Sequence, residues 1–193
     1  VAIHYRNSEA PAREAVEAIA AAGGRAVALK ADLAIEAEVR ALAAAAGEAV
    51  GPIGVLVNNA SVFEYDSAQT ATRAAWDAHL EPNLRAPFVL SQLMAEALPE
   101  AAEGLIVNLL DQRVWNLTPH FMSYTVSKAG LWALTQTLAM GLAPRIRVNA
   151  IGPGPTLPSA RQSQEGFDRQ SRSVPLRRGA DLAEFGAAMR FMI

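Results

Sequence analysis

A chain of 193 residues, 51% of them apolar and with a formal net charge of −2, is long enough to bury a core as one domain. That balance argues against a nucleic-acid or anionic-membrane surface. The chain has no cysteine, which excludes disulfides and thiolate metal sites, and His4, His79 and His120 lie too far apart for a metal to be expected.

Residues 1–5 read as a buried strand and 10–22 as an amphipathic helix ended by Gly23-Gly24. Residues 25–30 form a second strand, 34–50 a second helix stopped at Gly51-Pro52, and 54–58 (GVLVN) a third strand. After a loop over 63–71, an apolar-periodic segment runs to Leu98, where Pro82 and Pro87 are expected to kink or split it. Residues 105–110 are the fourth strand, 124–142 the next helix and 145–151 (RIRVNAI) the fifth strand. A Pro/Gly loop, GPGPTLPS, follows, and the last helix covers 180–193. The stretch 157–174 has no strong pattern and is expected to be a loop over the substrate.

Short apolar strands alternating with helices predict an α/β fold, a doubly wound parallel sheet. The segment 130–142 is apolar nearly all round, which predicts one side on the sheet and the other on a neighbouring subunit. The chain opens on a strand without methionine, stops in mid-helix and holds no glycine-rich strand-to-helix turn. A protein extending past both ends is expected. With no apolar run of membrane-spanning length and no signal-peptide pattern, so is a soluble cytoplasmic location.

The chemistry concentrates in DQRVWNLTPHFMSYTVSK, residues 111–128. Tyr124 and Lys128 are one helical turn apart and share a face. A lysine there is expected to stabilise phenolate, so that the tyrosine exchanges a proton below its free pKa. Asp111 closes the fourth strand, and strand ends are where open α/β sheets bind ligands. Alternatives remain at each position. The pair could be an exposed helix pair, Asp111 a cap for the next turn, and Asn83 a partner for the backbone near Pro82. Trp115, His120 and Phe121 read as wall or packing residues rather than catalysts.

Asn58-Asn59-Ala60-Ser61 after a strand, Asn83 in the next helix, Tyr124-x-x-x-Lys128, and Arg147-Val148-Asn149 leading to Pro153-Gly154 occur in order. On these motifs the chain resembles the short-chain dehydrogenase/reductases over nearly its whole length. The resemblance implies a Rossmann-type fold lacking its first and last strands here. The first would lie between the strands over 1–5 and 54–58, and without it an unpaired gap is expected to split the sheet. Where the family usually has a serine to orient the substrate carbonyl, this sequence has Asp111. An ionised carboxylate cannot donate to a carbonyl oxygen, but it can hold an N–H or pass a proton to a ring nitrogen. Asp111, Ser61, Phe63, the HYRNS segment (4–8) and Val174-Pro175-Leu176 resemble the pteridine reductase branch. In that branch the residue matching Phe63 stacks on the substrate; as a lone loop aromatic, Phe63 could equally be packed over the core.

The resemblance also implies a cofactor site. NAD-dependent relatives carry an acid at the end of the first visible strand; here the stretch is Arg6-Asn7-Ser8, which suits the 2′-phosphate of NADP(H). Arg6 could equally be a solvated charge. Asp32 and Leu33 resemble the adenine-contacting pair, while Asn59, Ala60, Ser61, Pro153 and Gly154 are expected along the rest of the cofactor. The implied function is an NADPH-dependent reductase of C=N or C=O bonds in a small molecule. In it Tyr124 is the acid, Lys128 its activator and ribose ligand, Asn83 the holder of a relay water and Asp111 the substrate contact. A carbonyl reductase for 3-oxoacyl or sugar-type substrates and a non-catalytic NADP(H) sensor are the alternatives, and the family commonly forms homotetramers, a homodimer being the smaller assembly.

Overall fold

A computed structural model of the chain describes residues 1–158 and 162–193. The first half runs β1 (Ala2–Tyr5), α1 (Glu9–Ala21), β2 (Val27–Lys30), α2 (Glu36–Val50), β3 (Val55–Asn58), α3 (Arg73–Leu80) and α4 (Ala86–Ala97). The second half runs β4 (Gly104–Leu109), α5 (Met122–Leu142), β5 (Ile146–Ile151), α6 (Gln164–Ser173) and α7 (Leu182–Met192). All strand pairs are parallel, in two sheets: β1 with β2, and β3-β4-β5 in that order. The split falls between β1 and β3, as the missing pairing predicts, and Val55 and Val57 on β3 are 39% and 43% exposed.

β4 is the inner strand of its sheet and is buried at every residue, which is why its sequence is a continuous apolar run rather than an alternating one. Met94, Leu98, Ile106, Ile146 and Val148 pack α4 onto β4 and β5. Gly104 permits this approach, since a Cβ there would lie 2.9 Å from Met94 Cε. A second cluster, Leu33, Val39, Ala86 and Val89, joins α2 to α4. A buried polar ladder crosses between the elements. Asn58 Nδ2 donates to Asn108 Oδ1 at 2.8 Å, and Asn108 Nδ2 donates to Thr135 Oγ1 at 2.9 Å. It ties β3, β4 and α5 into one register, because each amide left unpaired in the core would cost about 1–3 kcal/mol.

Of the kink and the split expected at Pro82 and Pro87, the split does not occur: a π-turn, Glu81–Arg85, carries α3 into α4. The amide of Ala86 reaches the carbonyl of Glu81, five residues back, so the missing proline N–H is absorbed by a register shift. The stretch 157–174 is not a loop throughout. It holds α6, capped by Ser163, whose side chain accepts from the Gly166 amide. Its sequence QEGFDRQSRS has no apolar stripe, so periodicity could not find it. The remainder of that expected substrate loop includes residues 159–161, which lie outside the described residues. Among the described residues, no helix is long and apolar enough to cross a membrane.

Candidate active site

Parallel strands deliver their carboxyl ends to one rim, and there the chain leaves β4 through Leu110 to Asp111. The Asp111 carboxylate has two partners. Oδ1 accepts from the Arg113 amide at 2.9 Å, capping a short turn, and Oδ2 accepts from the Tyr124 hydroxyl at 2.8 Å. The capping reading is therefore correct, and it leaves the second oxygen for the phenol. Tyr124 lies in the first turn of α5 and is buried.

The helix face places Lys128 with its Nζ 5.9 Å from the centre of the Tyr124 ring, so the exposed-pair reading fails. Both groups are buried. The expected electrostatics, however, are reversed. Burial, then the charge of the Asp111 carboxylate and its hydrogen bond, push the phenol well above its usual pKa, and Arg113 pulls it back only in part. Among the described residues Lys128 makes no hydrogen bond to the phenol. Its ammonium donates instead to the Leu109 carbonyl at 2.8 Å, and burial brings its own pKa down from 10.5 to about 8, against the opposing pull of Asp111.

This shift has a sign that can be measured. Between pH 8 and 10.5 the unfolded chain holds a proton that native Lys128 has released, so rising pH favours the fold through that window. The gain is roughly 3 kcal/mol at most. We expect the urea midpoint of Lys128→Met to lack this increment when both proteins are followed from pH 7 to about 10.5. Parallel pH profiles for the two would show that the lysine is not perturbed.

Asn83 is fixed by the π-turn and buried. Among the described residues it makes no side-chain bond to the backbone near Pro82. Its Oδ1 accepts from the Val62 amide at 2.8 Å, and its Nδ2 donates to the Val62 carbonyl at 2.9 Å and to Ser127 Oγ at 3.1 Å. Asn83 thereby clamps the loop bearing Asn59 to Phe63 against α5. Gly130 lets α5 approach this turn, since a Cβ would meet Leu84 Cδ2 at 2.8 Å.

Phe63 is stacked on Phe121, with ring centres 4.4 Å apart and an 11° tilt, and meets the Tyr124 ring edge-on at 4.6 Å. Trp115 is exposed and packs near Gly152 and Trp132. His120 Nδ1 lies 3.1 Å from the Tyr65 hydroxyl.

Periodicity and spacing gave no sign of a second network beneath Tyr124. His79 Nε2 accepts from the Glu64 amide at 2.9 Å, which puts the ring proton on Nδ1, facing the Ala75 carbonyl and Ser123 Oγ. The Ser123 hydroxyl donates to Asp66 Oδ2. These are the residue types of a hydrolytic triad, but the serine gives its proton to the carboxylate and all three are buried, so the oxygen is no nucleophile. They brace the start of α5, where Phe121 is left-handed (φ 57°) and offers no side-chain cap. Asp66 supplies that cap from a distant loop, at 3.3 Å from the Ser123 amide.

The expected cofactor residues occupy strand ends. Arg6, Asn7 and Ser8 follow β1 and are exposed, and Ser8 makes no side-chain capping bond. Asn59, Ala60 and Ser61 follow β3, exposed; Pro153 and Gly154 follow β5, half-buried and exposed. Asp32 Oδ1 accepts from the Ala34 amide at 2.9 Å, and the Leu33 side chain belongs to the core, so only the Leu33 backbone could face a ligand.

A family model described as enoyl-(acyl carrier protein) reductase matches residues 1–193. The chain belongs to the short-chain dehydrogenase/reductase family. Over 99% of its length it superposes with a TM-score of 0.95 and 49% identity on FolM alternative dihydrofolate reductase 1 from Brucella canis, crystallised with NADP, covering 76% of that chain. A short-chain dehydrogenase from Burkholderia cenocepacia J2315, in complex with NADP, gives 0.90 and 34% over 99% of this chain and 78% of its own. Among curated relatives, 3beta-hydroxysteroid dehydrogenase 1 of Eggerthella lenta is 38% identical over 156 residues, 80% of this chain. The chain spans only 62% and 60% of the first two curated relatives it matches. The Rossmann-type short-chain fold expected from the motifs is the fold found.

Proposed function

We propose that the protein is an NADP(H)-dependent reductase of C=N or C=O bonds, with a pterin- or dihydrofolate-like heterocycle as its substrate class. The observation that carries this is the 2.8 Å hydrogen bond from the Tyr124 hydroxyl to Asp111 at the strand end, beside the buried Lys128. A plain ketone needs a donor at position 111; a ring nitrogen or an N–H suits a carboxylate. The likeness to an alternative dihydrofolate reductase crystallised with NADP supports the same class.

The residues fit the cofactor. Arg6, Asn7 and Ser8 present an arginine and small polar groups at the β1 end without a competing acid, which suits a 2′-phosphate. When bound, NADPH supplies the hydride. Tyr124 gives the proton to the adjacent heteroatom. Asp111 anchors an N–H of the substrate or relays the proton to a ring nitrogen. Lys128, with one of its three N–H bonds on Leu109, has others for the nicotinamide ribose. Asn83 holds the 59–63 loop in place and with it one wall of the site.

A homodimer or homotetramer belongs to the same proposal. A groove of about 350 Å³ between Leu80, Leu84, Arg85, Phe88 and Leu134, with Met140 on α5 74% exposed, suits an apolar partner surface.

The function is tested by loss of NADPH absorbance with dihydropterin, dihydrofolate and ketone panels. Turnover of the dihydropterins is expected. Turnover of ketones alone removes the heterocycle, and NADPH binding without turnover on any panel makes the protein a sensor.

A further inference from the structure

The wall beside Tyr124 carries a cation for which the proposed reduction has no task. Arg113 is half-buried in the turn after β4, with its guanidinium carbon 4.8 Å from the centre of the Phe121 ring and 5.7 Å from that of Phe63. Its side chain has one hydrogen bond among the described residues, from Nη1 to Thr118 Oγ1 at 2.7 Å. Arg13, Arg40, Arg73, Arg85 and Arg178 each pair with a carboxylate; Arg113 pairs with none among the described residues. The Thr118 bond uses Nη1, and among the described residues Nε and Nη2 make no hydrogen bond, which leaves two N–H groups for a planar bidentate acceptor.

Two further observations set this arginine beside the proton donor and a strained wall. The charge of Arg113 acts on the Tyr124 phenol, so it stands within electrostatic reach of the proton donor. Phe121, on which it rests, holds a left-handed backbone that a bulky side chain rarely adopts, and such strain collects at ligand walls.

We propose that Arg113 is the subsite for a carboxylate-bearing substituent of the substrate, with the Phe63–Phe121 stack supporting an aromatic ring between that substituent and the reacting group. This rests on the reductase reading and narrows it to anionic substrates. A carboxylate meeting Nε and Nη2 forms two parallel charge-assisted bonds, worth roughly tenfold or more in kcat/KM. If Arg113 serves only to latch its own turn through Thr118, substrate charge is irrelevant to it.

The test compares acid with amide in two pairs: dihydrofolate against its tail diamide, and 4-acetylbenzoate against 4-acetylbenzamide. Each is measured as kcat/KM with NADPH for the unmodified protein, Arg113→Met and Arg113→Lys. Within whichever pair the unmodified protein turns over, it is expected to prefer the acid by roughly tenfold or more. Arg113→Met should lose most of that preference, and Arg113→Lys should recover part of it. Equal handling of acid and amide, or a preference that survives in Arg113→Met, overturns the subsite. An acid preference confined to the ketone pair and lost in Arg113→Met supports the subsite while removing the pterin. Turnover of none of the four removes the reductase reading and the subsite with it.

Discussion

Tyr124→Phe is expected to lower kcat by roughly 10²–10⁴-fold, the range a positioned general acid contributes. NADPH affinity, measured by fluorescence titration, should stay within about threefold, which is well under 1 kcal/mol. The substitution removes one oxygen from a buried ring and keeps its edge contact with Phe63. It also frees Asp111 Oδ2, on a side chain that is only half-buried. The effect is thus chemical rather than structural, and unchanged thermal stability alongside lost turnover is the expected signature. Turnover within tenfold of the unmodified protein would falsify Tyr124 as the acid.

Asp111→Ser is expected to move the kcat/KM ratio of ketone to heterocycle by roughly a hundredfold or more, since sites built to hydrogen-bond one partner discriminate strongly against a molecule lacking it. Serine can still accept from the Arg113 amide, so the turn keeps its cap. What disappears is the acceptor for Tyr124 and the negative charge beside it. Serine can donate to a carbonyl oxygen, as the ionised carboxylate cannot. Because the Asp111 charge and hydrogen bond both raise the phenol's pKa, Asp111→Ser should lower it. An unchanged substrate ranking would remove Asp111 from substrate choice.

The strands and most helices were legible because their signals are local. A run such as Gly104–Leu109 buries itself whatever surrounds it, and α5 declares its face by the spacing of Tyr124 and Lys128. Polar α6 and the π-turn gave no such signal, one lacking an apolar stripe and the other depending on how Asn83 meets Val62.

By itself the sequence determined that a phenol, an ammonium and a carboxylate belong to one strand end, since a helical turn and a strand terminus fix those positions within a few residues. Only the tertiary structure decided how they act on one another. Whether Tyr124 is pushed up or down depends on whether Lys128 faces it or the Leu109 carbonyl, and on how much water burial removes. The brace of Asp66, His79 and Ser123 depends likewise on contacts 44 and 57 residues apart in the chain. Charge interactions and desolvation are set by distances through space, and those distances exist only once the chain has closed on itself.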